Sequence, residues 1–367
     1  MKILAINPGS TSTKISVYED YKELFVTNIT MDIKKLEEIG SIIGEKDYRK
    51  ELIISEVEKN GFSLKDFGII VGRGGLVRPL KSGVYEVNEK YIEDAKKGIL
   101  GQHASNLGGI IARELALEIG VRAFVVDPPA VNEMKKIALV SGVPELPRLG
   151  SGHPLNQKAI ARKYSKDRNV NYEDLNLIIA HIGGGITVAA HEKGMIIDRN
   201  TALDGDGPMT PERSGRVNPG ALIKMCFSGK YTEKEIYSKI VGNGGVCAYL
   251  GTKDMREATK MAEDGDKKAE LIIDAMCYNI SKDIAGCAVA LHGKIDSIIL
   301  TGGVAYGKYV VDKIKDYTSF LPCGFAVYAG EDEMNSLSVG AYEAFLGKRK
   351  ILNYDVENFV DVDILNF

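Results

Sequence analysis

The side chains best able to do chemistry in this sequence are hydroxyls and cations gathered around glycine. INPGSTSTK (residues 6–14) ends a short apolar run at Asn7, then places Ser10, Thr11, Ser12, Thr13 and Lys14 in and around a single turn. Glycine lets backbone approach a ligand closely, and the amide N–H groups of such a turn converge on an anion. The hydroxyls add donors, and a lysine adds a point charge. That is the chemistry of a phosphate site. The competing reading is a hairpin whose Ser and Thr side chains merely cap its turn. A second apolar run, residues 175–182, leads into Gly183, Gly184 and Gly185, and resumes as a strand over 186–191. Two glycine turns at equivalent places favour phosphate binding. Neither is a P-loop or a dinucleotide fingerprint, because G-x-x-x-x-G-K-[ST] is absent and both turns lead into strands instead of helices.

Charged side chains extend the set. Arg73 stands in GRGGL (72–76), where paired glycines leave room around a guanidinium that can fork onto a carboxylate or phosphate; a strand-end salt bridge is the alternative. Arg213 lies in the loop PERSG (211–215), with a surface ion pair as its alternative. Asp127 ends a strand before two prolines. Turn-capping aspartates are common there, and sites also gather at strand ends of open α/β sheets. With only five histidines, no hydrolytic triad stands out. His181 and His191 alternate along strands and read as structural; His153 sits in a Gly/Pro-rich stretch. Asp332 and Glu333 precede a helix, where negative charge is favourable in any case.

The elements that must position these groups repeat. Strands are expected at 3–6, 14–19 (half-exposed), 23–29, 67–71 and 122–126, with helices near 49–58 and, after a cap-like Asn106, at 107–119. Residues 142–154 hold three prolines and three glycines, and the domain boundary is placed there, near residue 150. The pattern then recurs: strands at 175–182, 186–191 and 195–198, a long helix near 268–291, a strand at 295–301 running into Gly302 and Gly303, and a last helix near 334–346. Strand, glycine-bearing turn and strand therefore head both halves, which points to a duplicated α/β architecture.

A chain of 367 residues is too long for one compact core. Its net charge of −3 gives no basic excess for nucleic acid or an anionic membrane. No apolar stretch is long enough to span a bilayer, and the opening residues do not read as a signal peptide. The five cysteines form no C-x-x-C pair and are expected to be reduced and mostly buried, in a cytoplasmic protein.

Two facing glycine hairpins resemble the phosphate grip of the actin, hexokinase and heat-shock chaperone ATPase superfamily. INPGSTSTK, AHIGGG (180–185), MTPERSG (209–215) and LTGGVA (300–305) resemble, more narrowly, the acetate and butyrate kinase family. GRGGL, GQHASNLG (101–108), FVVDP (124–128), DGDGPMTPERSG (204–215) and AYLGT (248–252) resemble its butyrate kinases more than its acetate kinases. The resemblance runs through nearly the whole chain. It implies two duplicated actin-like ATPase (ribonuclease H-like) domains around a central cleft: residues 1–150 with the C-terminal segment from about 335 to 367, and residues 151–334 carrying the adenosine site. It also implies an ATP- and Mg²⁺-dependent kinase that phosphorylates a small carboxylate, with homo-oligomerisation.

The same resemblance assigns roles. Arg73 would meet the substrate carboxylate, Arg213 the charge on the transferring phosphoryl group, and His153 that phosphate as well. Asp127 would orient the substrate or metal-bound water. Asn7, Ser10, Ser12 and Lys14 would form the first grip, and Gly183, Gly184 and Gly185 the second, although acetate kinases usually carry Asn where Gly184 stands. Asp254 and Arg256 would flank the adenine, and Gly302 and Gly303 lie beneath it. Glu333 would associate with Mg²⁺, with Asp332 one residue away. Gly74 and Gly75 are expected to leave width for an alkyl tail. The rival readings are a non-catalytic nucleotide-binding relative, a kinase for acetate or propionate, and a sugar kinase using Asp127 as a base.

Overall fold

The computed structural model describes residues 1–202 and 204–362. Six strands come first: β1 (Lys2–Pro8), β2 (Ser12–Glu19), β3 (Lys22–Thr30), β4 (Phe67–Gly72), β5 (Val84–Glu86) and β6 (Arg122–Val126). Then follow β7 (Asn176–Ile182), β8 (Ile186–Glu192), β9 (Met195–Arg199), β10 (Ser297–Gly302), β11 (Gly324–Ala329) and a late β12 (Ile351–Asn353). The chain divides into two compact units, Met1–Asn132 with Asp332–Asp361, and Glu133–Glu331 with Val362. The division thus falls at 132/133 and not near 150. The Gly/Pro-rich stretch 142–154 belongs to the second unit: Arg148 donates to the Arg199 carbonyl and Arg199 to that of Gly150. Proline and glycine mark an irregular segment there, not a linker.

Each unit has one sheet, and the two share a plan. The first runs β12-β5-β6-β4-β1-β2-β3, the second β11-β10-β7-β8-β9. In both, an antiparallel meander (β1–β2–β3, β7–β8–β9) is extended by strands parallel to its first member (β4 and β6; β10 and β11). The inner strands β1, β4, β7 and β10 are almost wholly buried, as continuous apolar runs in helix-covered sheets must be. In β2 the alternation misleads: Ile15, Ser16, Val17 and Tyr18 are all buried. The helix Glu333–Phe345 packs over β1, β2, β4 and β6 and covers the face that looked solvent-exposed. In the second unit the long helix Lys267–Ala290 packs on β7, β8 and β9, and its Ile273, Met276, Ile280 and Ile284 enter the core with Ile178, Ala180, Leu300 and Ile298.

Two smaller expectations change. Asn106 is not the cap of the helix Asn106–Ile119; Ser105 holds that position, and Asn106 is buried inside. Of the five cysteines, all without disulfides, only Cys277 and Cys287 are buried; Cys226 is exposed, and Cys247 and Cys323 are half-buried.

Candidate active site

In the first unit the sheet delivers side chains to one end. β4 hands the chain to Arg73, whose amide donates to the Ile6 carbonyl at 2.7 Å, so the arginine is fixed beside the end of β1. Arg73 is 7% exposed, so the salt bridge it makes at this strand end is buried and not on the surface. It forms an ion pair with Glu333, the first residue of the helix Glu333–Phe345. The other carboxylate oxygen of Glu333 accepts from Asn7 Nδ2 at 2.7 Å. Arg73, Asn7 and Glu333, far apart in sequence, therefore form one cluster. The neighbouring Asp332 takes neither partner. Burial, the larger effect, raises its pKa, while Asn335 and Lys14 pull it back.

Beyond Asn7 the β1–β2 hairpin turns with Ser10 and Thr11 exposed, and Lys14, in register opposite Asn7, is exposed as well. Asp127, just past β6, has φ +39, a left-handed conformation uncommon outside glycine. Its Oδ1 accepts from Ser82 Oγ at 2.5 Å and from the Gly83 amide at 2.9 Å. The carboxylate thus braces a loop and is 1% exposed. A strained residue at a strand end is a frequent mark of a functional position.

The loop after Arg73 corrects the expectation for Gly74 and Gly75. A Cβ on Gly74 would lie 2.2 Å from the Pro128 Cβ, and one on Gly75 would lie 2.7 Å from the Asn106 Cα. The missing volume is filled by the Asp127–Pro128 turn and by the helix Asn106–Ile119. Asn106 Oδ1 also accepts from the Leu76 amide at 2.7 Å, and Tyr91 Oη from the Gly75 amide at 2.9 Å. These glycines let three elements meet behind Arg73 and open no width for an alkyl tail.

In the second unit, Gly183–Gly185 link β7 to β8, with Gly184 exposed at the tip. The loop carrying Arg213 is tied to that turn: Thr210 Oγ1 donates to the Gly184 carbonyl at 2.7 Å and accepts from the Arg213 amide at 2.9 Å. The guanidinium lies against Gly185, where a Cβ would come within 2.3 Å of Arg213 Nη1. It donates to the Ala202 carbonyl. Burial lowers the Arg213 pKa, with Glu212 opposing, yet a guanidinium stays charged. The turn and the arginine form one corner, which the Glu212 carboxylate also borders.

His153 adjoins this corner. Its Nδ1 is 3.0 Å from Thr187 Oγ1 on β8, and its ring stacks on His181 with centroids 3.9 Å apart at 11°. His181, on β7, has Nδ1 2.9 Å from Asn156 Oδ1 and Nε2 3.1 Å from Glu331. His191 is different: it is buried, with Nδ1 2.6 Å from Tyr172 Oη, and is a core residue.

On the other side of Gly184 is a cavity of about 600 Å³, bounded by Lys253, Asp254, Arg256, Gly303, Tyr306 and Tyr309 among others. Asp254 caps the helix Met255–Glu263. It also pairs with Arg256 at 2.6 Å, and that guanidinium holds its carboxyl down at about 2. Gly302 does not line the cavity; it precedes the lining residue Gly303 and packs on β7. It has φ +90, and a Cβ there would strike the Ile182 carbonyl at 2.4 Å. The end of β10 thereby lies against the end of β7, just before the Gly183–Gly185 turn.

The first unit thus brings together Arg73, Asn7 and Glu333, with Asp127 in the adjoining loop. The second brings together Gly183–Gly185 and Arg213, and sets Asp254, Arg256 and Gly303 around the cavity. Sequence reasoning missed Thr210, Glu331 and the contact of His181 with His153. An isolated threonine carries no signal, and a histidine alternating along a strand looks like core. No group of three or more His, Cys, Asp or Glu is placed to hold a metal ion among the described residues, and no helix among them is long and apolar enough to cross a membrane.

The acetokinase family model matches residues 148–327. The chain is 47% identical over 353 residues to butyrate kinase 2 of Clostridium acetobutylicum, covering 96% of this chain and 99% of that protein. It is 44% identical, with the same coverage, to butyrate kinase 1 of the same organism. Among solved structures it matches Porphyromonas gingivalis acetate kinase at a TM-score of 0.77 and 21% identity, over 92% of this chain and 97% of that one. It matches a propionate kinase from Francisella tularensis at a TM-score of 0.72 and 18% identity, over 92% and 98% of the two chains. The structural likenesses bear on the fold, which is the two-domain, actin-like ATPase type.

Proposed function

This chain belongs to the acetokinase family, and from that premise we propose that it is a short-chain fatty acid kinase. It moves the γ-phosphoryl group of ATP onto the carboxylate of butyrate or a branched short-chain acid, giving an acyl phosphate and ADP. The observation that carries this reading is the near-full-length similarity to two butyrate kinases. The chemistry of the residues agrees with it. A carboxylate is ionised at neutral pH, so no base is needed to make the nucleophile. An anion must instead attack a polyanion in line, which calls for cations and alignment.

Arg73 carries a planar guanidinium that can fork onto the acceptor carboxylate, and its ion pair with the Glu333 carboxylate is in keeping with that role. Arg213, desolvated beside the Gly183–Gly185 turn, suits the charge on the transferring phosphoryl group. His153 is the second donor for that group, set by Thr187 and His181. Asp127 orients its loop and, through Pro128 and Gly74, the Arg73 loop. Asn7, Ser10, Ser12 and Lys14 grip the polyphosphate from the first unit, and the amides of Gly183, Gly184 and Gly185 do so from the second. The cavity bounded by Asp254, Arg256 and Gly303, with Gly302 next to it in the chain, takes the adenosine. Its size suits a nucleoside, since small-molecule sites span about 300–1,000 Å³.

Mg²⁺ needs only one or two carboxylates besides phosphate oxygens and water. Glu333, a carboxylate at a helix N-terminus, fits that need and is the residue that would hold it. Bound there, the ion would neutralise charge on the phosphates. A cytoplasmic, homo-oligomeric enzyme completes the reading. Acyl phosphates are trapped by hydroxylamine as coloured hydroxamates. ATP-dependent hydroxamate from butyrate supports the proposal; none from any short-chain acid overturns it.

A further inference from the structure

The β1–β2 turn can bind phosphate only if its carbonyls face away from the ligand, because an oxygen aimed at a polyphosphate repels it. Three successive carbonyls at the turn, those of Ser10, Thr11 and Ser12, are each held by a donor of the protein. That of Thr11 accepts from the Met31 amide at 3.0 Å, and that of Ser12 from the Gly9 amide at 2.8 Å. The rest of the work falls to one side chain remote from the turn in sequence. Arg49, in the helix Lys46–Lys59, is 0% exposed. Its Nη2 donates to the Ser10 carbonyl at 3.3 Å, and its Nη1 donates to the Ser12 carbonyl at 3.1 Å and to Thr13 Oγ1 at 2.9 Å. Its Nε donates at 2.8 Å to Glu45, itself 6% exposed.

We propose that Arg49, held by Glu45, is a positioning residue that presets the β1–β2 turn for the polyphosphate of the nucleotide. The inference rests on reading that turn as a phosphate grip. Its logic is geometric and not a matter of charge. Glu45 neutralises the guanidinium on the spot, so the pair adds little field at the turn. What the arginine supplies is a planar fork wide enough to reach Ser10, Ser12, Thr13 and Glu45 together. A lysine keeps the charge but has a single nitrogen, and it cannot span those acceptors.

The test is steady-state kinetics on Arg49→Lys and Thr13→Val, with Lys14→Ala as a control on the turn itself. Losing hydrogen bonds from a charged donor to the turn should raise KM for ATP about tenfold or more in Arg49→Lys. KM for butyrate should stay within about twofold, because the acceptor is placed elsewhere. Thr13→Val removes one acceptor, leaves the arginine in place, and should move KM for ATP the same way by less. It keeps the question answerable if Arg49→Lys fails to fold. A purely structural role would lower the melting temperature of both variants and leave both KM values alone, and that result overturns the proposal. If Lys14→Ala raises KM for ATP while Arg49→Lys and Thr13→Val do not, this inference fails and the phosphate-grip reading stands. If none of the three moves KM for ATP in an active enzyme, the grip reading fails and takes the inference with it.

Discussion

Replacing Arg73 with alanine separates two consequences that the structure makes distinct. Arg73 and Glu333 form an ion pair whose side chains are 8% and 16% exposed. Removing one partner of a buried pair typically costs about 3–5 kcal/mol, because the other charge is stranded. Glu333 keeps its bond from Asn7 and some contact with water, so about 2 kcal/mol is the expected loss. In a unit of this size that lowers the melting temperature by about 4–8 °C. Catalysis should suffer separately. A cation acting on the acceptor carboxylate in the transition state contributes about 3 kcal/mol, so kcat/KM for butyrate should fall roughly a hundredfold. The double variant Arg73→Ala/Glu333→Gln removes the stranded charge as well. It should recover most of the melting temperature and none of the activity. Differential scanning calorimetry and a coupled ADP assay on the two proteins and the wild type give both numbers. A single variant that loses stability and keeps most of its turnover would refute the reasoning, since Arg73 would then be only half of a structural pair.

Three other outcomes are expected. Gly185→Ala places a methyl group 2.3 Å from Arg213 Nη1, so it should displace the guanidinium and lower kcat by about tenfold or more with KM for butyrate little changed; an unaltered kcat would mean that Arg213 does not act from this position. Gly75→Ala should destabilise the protein and leave the order of preference among acetate, propionate, butyrate and isobutyrate unchanged, because its Cβ meets the Asn106 Cα at 2.7 Å; a stable variant shifted toward acetate would restore the idea that this glycine widens the acyl site. His191 is buried, and burial first, then the charges of Lys158, Arg199 and Arg162, hold its pKa well below the usual value. The unfolded chain takes up that proton below about pH 6.5 while the folded one does not. Stability should therefore fall as the pH drops below about 6.5, and His191→Phe should flatten the slope of the urea midpoint against pH; equal slopes in the two proteins would contradict this.

Much of the architecture is legible in the sequence because the inner strands β1, β4, β7 and β10 are largely apolar runs, and because one glycine turn marks the first hairpin of each unit. Cations beside glycine signal their chemistry locally, so Arg73 and Arg213 stand out. What fails is whatever depends on a partner distant in sequence. The period-two pattern of β2 hides a strand buried on both faces, since its cover, the helix Glu333–Phe345, comes three hundred residues later. Glycine tells that space is needed but not what fills it, and at Gly74 and Gly75 the filling is Pro128 and Asn106, not substrate. Glu45 and Arg49 look like an ordinary i,i+4 surface pair. Only the fold turns them inward, onto the carbonyls of the phosphate turn.

The most direct measurement is hydroxamate formation by the purified protein with ATP and Mg²⁺ across acetate, propionate, butyrate, isobutyrate and valerate, alongside glycerol and glucose with ADP release as the readout. A carboxylate kinase of the butyrate type should give ATP-dependent hydroxamate with butyrate or isobutyrate highest in kcat/KM and no ADP release stimulated by either polyol. ADP release driven by glycerol or glucose, or no hydroxamate from any acid by a protein that still binds ATP, would contradict it.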